Sequence, residues 1–326
     1  MGRWSTVALA AALSACGPLP CKEPERRARL SESFAAAEPA VYHAYEFFQG
    51  DAFVEFEFVF VGEGGRVLRF ADEQMEVIHT GTTATLRGMS CASSPELILV
   101  VGDGGAVQRS HDDGRTWIAG DSGTQADLHA VALADGLEGG RFAVAVGDGV
   151  VLRTFDDGAT WSPATLPTGE ARLRDVQLRD EGWLAIGEDG VILTAAYDGE
   201  VWSPSASPTG SDLLRFSEAG IIGAGGLLLV GDPGAWQAAE LPFSGEIAGA
   251  TKYSLVMRDG RIALAPSLYD PIYVPLLVED PLPAVQLVYW ETAEWIRVLA
   301  EDGSIHQFDF VYVDTVTEDV CVPVAE

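Results

Sequence analysis

Two near copies of one polar stretch carry the side chains whose types and spacing most plainly suggest chemistry. Residues 109 to 120 read RSHDDGRTWIAG and residues 153 to 164 read RTFDDGATWSPA. Each sets a hydroxyl, an acid, a glycine, a threonine and a tryptophan in the order S/T-x-D-x-G-x-T-W. The residues are Ser110, Asp112, Gly114, Thr116 and Trp117, then Thr154, Asp156, Gly158, Thr160 and Trp161. Carboxylates packed this closely could bind Ca2+. A calcium loop needs a D-x-D-x-D-G run with a glutamate further on, and neither copy has it. Elementary physics gives these residues a structural job instead. Asp112 and Asp156 can accept hydrogen bonds from turn N–H groups, and Ser110 or Thr154 can add a second local bond. Gly114 and Gly158 allow a backbone conformation that a side chain would penalise. Trp117 and Trp161 bring large rings to bury between neighbouring sheets. No catalytic residue, metal or cofactor is expected.

Other chemistry is thin. The chain has no G-x-S-x-G, H-E-x-x-H or P-loop. It has no C-x-x-C and its five His are scattered, which argues against zinc. The formal charge is −29, from 49 acidic against 20 basic residues. That balance argues against nucleic acid and against docking on anionic headgroups. It suits a solvated surface, or a field that attracts a basic partner. There is no Asn, and Lys22 and Lys252 are the two lysines, so Asp-Gly and Gly-Gly pairs must make the tight turns.

The elements that must hold these turns repeat. Apolar strand, glycine turn, apolar strand recurs as VFVGEGGRVLRF at 59, LVVGDGGAVQRS at 99, VAVGDGVVLRTF at 144 and LAIGEDGVILTA at 184. GIIGAGGLLLVG at 220, SLVMRDGRIALA at 254 and RVLAEDGSIHQF at 297 complete seven copies, with turn glycines roughly 36 to 45 residues apart. A short alternating or apolar run precedes each copy, and a second turn with a last strand follows it. The polar motif is that second turn in the second and third copies. It is worn in the fourth (AAYDGEVW) and fifth (VGDPGAWQ), and lost in the others. Period-2 patterning, β-branched residues and dense glycine turns exclude a helical solenoid. The fold expected is all-β: a seven-bladed β-propeller of four-stranded antiparallel blades over residues 41–320, with a C-terminal tail at 321–326.

The N-terminus reads as an address. Arg3 precedes an apolar run from Val7 to Leu13, too short to span a bilayer. Leu13-Ser14-Ala15-Cys16 resembles a bacterial lipobox. That resemblance implies a signal peptide at 1–15, cut before Cys16, whose thiol takes a diacylglycerol. Gly17 stands where an Asp would imply inner-membrane retention, so the outer membrane is favoured. Residues 16–40 are expected to be a tether, with PERRARLSESFAAAE able to form a short helix. Outside the cytosol disulfides are permitted. Cys21, Cys91 and Cys321 are an odd number, so at most one internal pair forms. Cys21 and Cys321 are candidates because they flank the folded part, but the sequence does not choose the pair.

S-x-D-x-G-x-T-W is similar to the Asp-box, or BNR repeat, of sialidase-like propellers and sortilin-type receptors. With VGDGG, RS, DDG and TW taken together, the chain most resembles the photosystem II stability/assembly factor-like repeat family. The resemblance covers two blades strongly and two weakly. It implies a non-catalytic scaffold that binds another protein. The family's photosynthetic members use a basic arginine-rich face, whereas this chain is acidic, so the resemblance is taken to carry over the fold and the photosystem partner is not assumed. The alternative is a carbohydrate-active enzyme with a site in the central channel. Sialidase chemistry needs an arginine triad, a Tyr nucleophile with a Glu base, and an Asp acid. The first copy lacks the Arg-Ile-Pro motif, Arg66 and Arg69 only flank a glycine turn, and Tyr269 has no matching context. An enzyme should converge charged groups on the propeller axis. A scaffold should show a broad patch, with Trp290 and Trp295 as candidate anchors.

Overall fold

The computed structural model describes residues 25–34, 42–49, 56–71, 74–92, 97–137, 140–167, 171–251, 254–264, 274–278, 285–291, 295–300 and 305–313. All of its regular structure is strand, apart from single 3-10 turns. Strand β1 (Glu25–Phe34) comes first. The first blade is β2 (Tyr42–Gln49), β3 (Phe56–Gly62), β4 (Arg66–Ala71) and β5 (Gln74–His79). The second is β6 (Leu86–Cys91), β7 (Ile98–Gly102), β8 (Val107–Ser110) and β9 (Ile118–Ala119). The third is β10 (Leu128–Leu137), β11 (Gly140–Gly147), β12 (Val150–Thr154) and β13 (Ser162–Pro163). The fourth is β14 (Leu173–Arg179), β15 (Gly182–Gly187), β16 (Ile192–Ala195) and β17 (Trp202–Pro204). The fifth is β18 (Leu213–Ser217), β19 (Gly220–Gly223), β20 (Leu227–Val230) and β21 (Gln237–Ala238). The sixth is β22 (Ile247–Ala250), β23 (Ser254–Met257), β24 (Ile262–Leu264) and β25 (Val274–Val278). The seventh has β26 (Val285–Glu291), β27 (Trp295–Ala300) and β28 (Ile305–Val313) from the C-terminal end, and β1 as its outer strand.

The chain is thus an all-β, seven-bladed propeller. The inner strand β26 lies against β2 of the first blade and β22 of the sixth, which closes the circle. The recurring glycine turns join the second and third strands of a blade, and contact requires glycine at particular positions within them. A Cβ on Gly102 would sit 2.1 Å from the carbonyl oxygen of Thr85. Gly105 has φ +74, and its Cβ would sit 2.2 Å from the carbonyl oxygen of Thr124.

The helix expected within 16–40 is a strand. β1 pairs antiparallel with β28 from Glu25↔Val313 to Phe34↔Ile305, with one bulge after Leu30. It also pairs parallel with β25 at Arg27↔Leu277 and Ala28↔Val278. Local helix propensity among Ala, Arg, Leu and Glu is worth tenths of a kcal/mol per residue. Two ladders of hydrogen bonds to the last two blades outweigh it. Cys16, Cys21, Tyr269 and Cys321 lie outside the described residues.

The apolar core is divided between blades. Val59, Val61 and Met89 with Ile98 and Val100 fill the gap between the first and second blades. Leu99, Leu128, Ala143, Leu152 and Trp161 fill the next gap. Val144, Val176, Trp183 and Trp202 fill the third-to-fourth gap, where Trp183 is 1% exposed. Each fully buried large apolar side chain contributes about 1.5–3 kcal/mol by area, so the blades are held face to face by these wedges.

Candidate binding site: the mouth of the channel

Every inner strand begins with the same irregularity. The pairing register slips between Tyr42 and Ala44, Leu86 and Gly88, Leu128 and Ala130, and Leu173 and Asp175. It slips likewise between Leu213 and Arg215, Ile247 and Gly249, and Val285 and Leu287. One residue per blade is therefore bulged out of the ladder at one end of the channel, which we call the mouth. The bulged residues are His43, Arg87, His129, Arg174, Leu214, Ala248 and Gln286.

Three consecutive bulges are basic, and each meets an acid from the glycine turn of its own blade. Arg87 holds Asp103 with two hydrogen bonds, from Nε and from Nη2, the latter at 3.0 Å. His129 Nε2 lies 2.9 Å from Asp148 Oδ1. Arg174 Nη2 donates to Glu188, whose other oxygen lies 3.7 Å from Arg172. The bond from Arg87 holds the Asp103 carboxyl below its ordinary range. Burial opposes ionisation of Asp148, but the bond to His129 and the nearby guanidinium charges keep it below that range too. Arg174 Nη1 also stands 3.3 Å from His129 Nε2. With Nε2 donating to Asp148, that approach is packing rather than a hydrogen bond.

A second set of acids links neighbouring blades around the same rim. Asp127 accepts the N–H of Gly104 at 2.7 Å, Asp212 that of Asp189 at 2.9 Å, and Glu246 that of Gly225 at 3.2 Å. Each acid stands directly before an inner strand and caps the turn of the preceding blade. The residues ADLH, SDLL and GEIA carry the signal: an acid, a large aliphatic residue, then the bulge.

Behind the rim, the inner strands of blades two to five enclose a cavity of about 830 Å³. Arg87, His129, Arg174, Asp175, Arg215 and Glu218 are among its lining residues. Charged groups therefore do converge on the axis, the feature set out above for an enzyme. Arg87 and Arg174 are engaged by turn acids, and no tyrosine lines the cavity among the described residues. Asp175 spends one oxygen on the N–H of Val176 at 2.8 Å and the other on the N–H of Phe216, in the next blade, at 2.7 Å. Burial nevertheless pushes its carboxyl up to about 6, against those two donors and the Arg215 charge.

The two polar turns lie elsewhere, on the outer hairpins. Thr116 donates to Asp112 from its backbone N–H at 2.8 Å and from its hydroxyl at 2.6 Å. Ser110 Oγ donates to Asp112 at 2.8 Å and accepts the N–H of Gly114 at 2.9 Å. Thr154, Asp156, Gly158 and Thr160 repeat this, with hydroxyl bonds of 2.8 and 2.6 Å onto Asp156. Trp117 and Trp161 each donate Nε1–H to the carbonyl of the glycine three residues back, at 2.9 and 3.2 Å. Trp202 does so to Gly199 at 3.0 Å in the fourth blade. All the carboxylate oxygens of Asp112 and Asp156 are thereby engaged within the turn. Among the described residues no group of three or more His, Cys, Asp or Glu could hold a metal. Trp290 and Trp295 fall on two adjacent strands, β26 and β27.

No family model matches the chain, and no curated protein matches it. Solved structures do. YCF48 bound to a D1 peptide is similar over 87% of this chain and 94% of its own, with TM-score 0.63 and 15% identity. YCF48 from Cyanidioschyzon merolae is similar over 86% of this chain and 99% of its own, with TM-score 0.65 and 16% identity. At such identities the likeness is one of fold, over 86–87% of this chain.

Proposed function

We propose that this protein is an exported, lipid-anchored scaffold that binds a segment of another protein at the channel mouth, without catalysis. The observation that carries the reading is the rim itself. Its basic bulges are held in place by acids of the same blade, so the mouth presents fixed, alternating donors and acceptors. Such a surface suits backbone and side-chain recognition more than bond cleavage. The YCF48 structure similar in fold is itself bound to a peptide, which supports a protein ligand. The direction of β1 fits an anchor at Cys16. β1 ends at the mouth side and begins on the opposite face, so a lipid there leaves the mouth facing away from the membrane.

Asp175 favours the second reading, a carbohydrate-active enzyme, because a carboxyl near 6 in a cavity could donate a proton. Its two backbone N–H donors make it a link between blades four and five in the first reading.

The test is a pull-down from detergent-solubilised envelope with the mature protein and with an Arg87→Glu, Arg174→Glu double variant. The scaffold reading expects a partner that the wild type retains, that moderate salt weakens and that the double variant loses. A partner held equally by both would move the site away from the mouth. Glycan binding on an array with turnover abolished by Asp175→Asn would establish the enzyme.

A further inference from the structure

We propose that the face opposite the mouth carries a second docking surface, built on Phe155, Tyr197 and Val201 of blades three and four, which takes a segment of another protein with an apolar side chain flanked by Lys or Arg. It is independent of the mouth. Each third strand runs from the glycine turn at the mouth to the polar turn, so the polar turns stand on the opposite face. Among the described residues five large apolar side chains are exposed, and three of them belong to these two turns: Phe155 at 63%, Val201 at 59% and Tyr197 at 42%. Aligned on the glycine and the tryptophan, Tyr197 stands where the sister turns have Asp112 and Asp156, and Val201 where they have Thr116 and Thr160. Phe155 stands in the place of His111. Blade four thus gives up the threonine-to-carboxylate bonds that lock the other two turns and puts apolar surface into water instead. The turn still closes around Trp202, whose Nε1–H keeps its bond to Gly199. Contiguous apolar surface with a polar rim, present where the fold does not require it, marks an interaction site.

The three side chains share one support. Phe155 stacks on Phe142 with ring centres 4.8 Å and planes 17° apart, and Phe142 meets Trp183 edge-on at 5.5 Å. The turn of blade four closes over the same ring, since a Cβ on Gly199 would meet Phe142 at 3.2 Å. Arg153 Nη1 donates to the carbonyl of Asp198 at 3.1 Å, and its guanidinium carbon lies 5.8 Å from the centre of the Phe155 ring. Tyr197 is held twice: its hydroxyl donates to the carbonyl of Asp180, and its own carbonyl accepts the Nε1–H of Trp183 at 3.0 Å. Aromatic side chains fixed in this way lose little freedom on binding, which is what an interface anchor needs.

The frame of the patch selects its occupant. Asp156, Asp157, Asp180, Glu181, Asp198 and Glu200 stand in these turns, and all but Asp157 are exposed. Arg141 and Arg153 approach two of them, Asp157 and Glu200, at 3.8 Å. Arg179 is stacked on Phe216 and Trp236 of blade five. The surface is therefore apolar at its centre and negative around it. A second copy would bring the same negative frame, in a chain of formal charge −29, and a bilayer surface would bring its own negative potential. A basic segment meets neither penalty: its apolar side chain packs on Phe155 and Val201, and its flanking cations face the acids.

The experiment is an array of synthetic peptides with a Leu, Phe or Trp core flanked by Lys and Arg, by Ser or by Glu, probed with the full-length protein and three variants. Phe155→His and the double variant Tyr197→Asp, Val201→Thr copy residues of the sister turns, so the thermal transition should be kept; either suffices if the other fails to fold. Arg87→Glu, Arg174→Glu alters the mouth alone. The expected result is that the wild type and the mouth variant prefer the basic-flanked peptides and that moderate salt weakens the binding. Phe155→His and the Tyr197, Val201 double variant should bind them about tenfold more weakly or worse. Equal binding of the Glu-flanked peptides, unchanged binding in both folded surface variants, or no basic-flanked peptide bound at all overturns the proposal, and so does a loss confined to the mouth variant. Self-association in sedimentation, or binding to phosphatidylglycerol vesicles, that the surface variants abolish would assign the patch to a second copy or to the membrane and overturns it as well.

Discussion

The third and seventh blades solve the same problem by opposite means. Each must fasten an outer strand to the blade behind it. In the third, β12 and β13 are joined by the turn Thr154 to Trp161, whose Asp156 takes hydrogen bonds from both ends of the turn. In the seventh no such turn exists, and the outer strand β1 comes from the other end of the chain. The local device is stable as soon as its few residues are made. The remote device cannot form until all seven blades have been collected, because loop closure must precede its contacts. The ring is therefore pinned locally in its middle and globally at its seam.

The largest expected effect comes from breaking the seam. A chain that begins after Phe34 leaves β28 and β25 as open edges, and should lose its cooperative thermal transition and aggregate. A transition retained within a few degrees of the full-length protein would show that β1 is dispensable. The middle should fail less completely. Trp161 is 9% exposed between blades two and three, whereas Trp117 is only half-buried. Trp161→Ala is expected to cost about 3–5 kcal/mol and Trp117→Ala about 1–2 kcal/mol, read as urea midpoints. Equal losses would remove the distinction between the two turns.

Glycine replacement sharpens the same contrast. Gly114 and Gly158 share φ near +75 (+78 and +75), so alanine strains both. A Cβ on Gly158 would meet Leu99 of the preceding blade at 2.5 Å, while that on Gly114 meets nothing nearer than 3.5 Å. Gly114→Ala is expected to cost about 1 kcal/mol and Gly158→Ala about 1 kcal/mol more, unless the end of the Leu99 side chain swings away.

The smallest effects are in pH, and two acids should act with opposite sign. Hydrogen bonds from Thr160 lower Asp156 from 3.8 to about 2. Its contribution is present above the unfolded value and is lost as pH falls from about 4 to about 2. With the group largely exposed, solvent screening leaves about 1 kcal/mol. Burial raises Asp175 from 3.8 to about 6. Its contribution is full below about 4 and is lost as pH rises through about 6, again about 1–2 kcal/mol. Subtracting the unfolding profile of Asp175→Asn from that of the wild type should leave a downward slope between pH of about 4 and 6. The same subtraction for Asp156→Ala should leave an upward slope below about 4. A flat difference profile for either acid would show that its carboxyl is unperturbed in the fold.

The middle of the chain was far more legible than its seam, for a physical reason. The glycine turns sit at a regular period because particular glycines in them answer a contact within their own blade or with the next, as at Gly102 and Gly105. The polar turns are written in eight consecutive residues. β1 leaves no such trace. Its partners are 250 to 288 residues away, from Arg27↔Leu277 to Glu25↔Val313, and its composition suits a helix at least as well as a strand. The rim of the mouth lay between these cases. Leu-Arg at 86, Leu-His at 128 and Leu-Arg at 173 repeat in phase, but a bulge is a property of two strands in register, and single-strand patterning cannot express it.

A bulged residue has no cross-strand partner to satisfy. Arg87, His129, Arg174, Leu214 and Ala248 already show four residue types at one geometric position, from guanidinium to methyl, on an unchanged ladder. The less buried of these positions work like the pins of a cylinder lock: each can be recut together with the acid that meets it, and the barrel that carries them does not have to be remade. A ring built this way can drift from one partner to another through a few substitutions, while selection on its stability acts almost entirely on other residues.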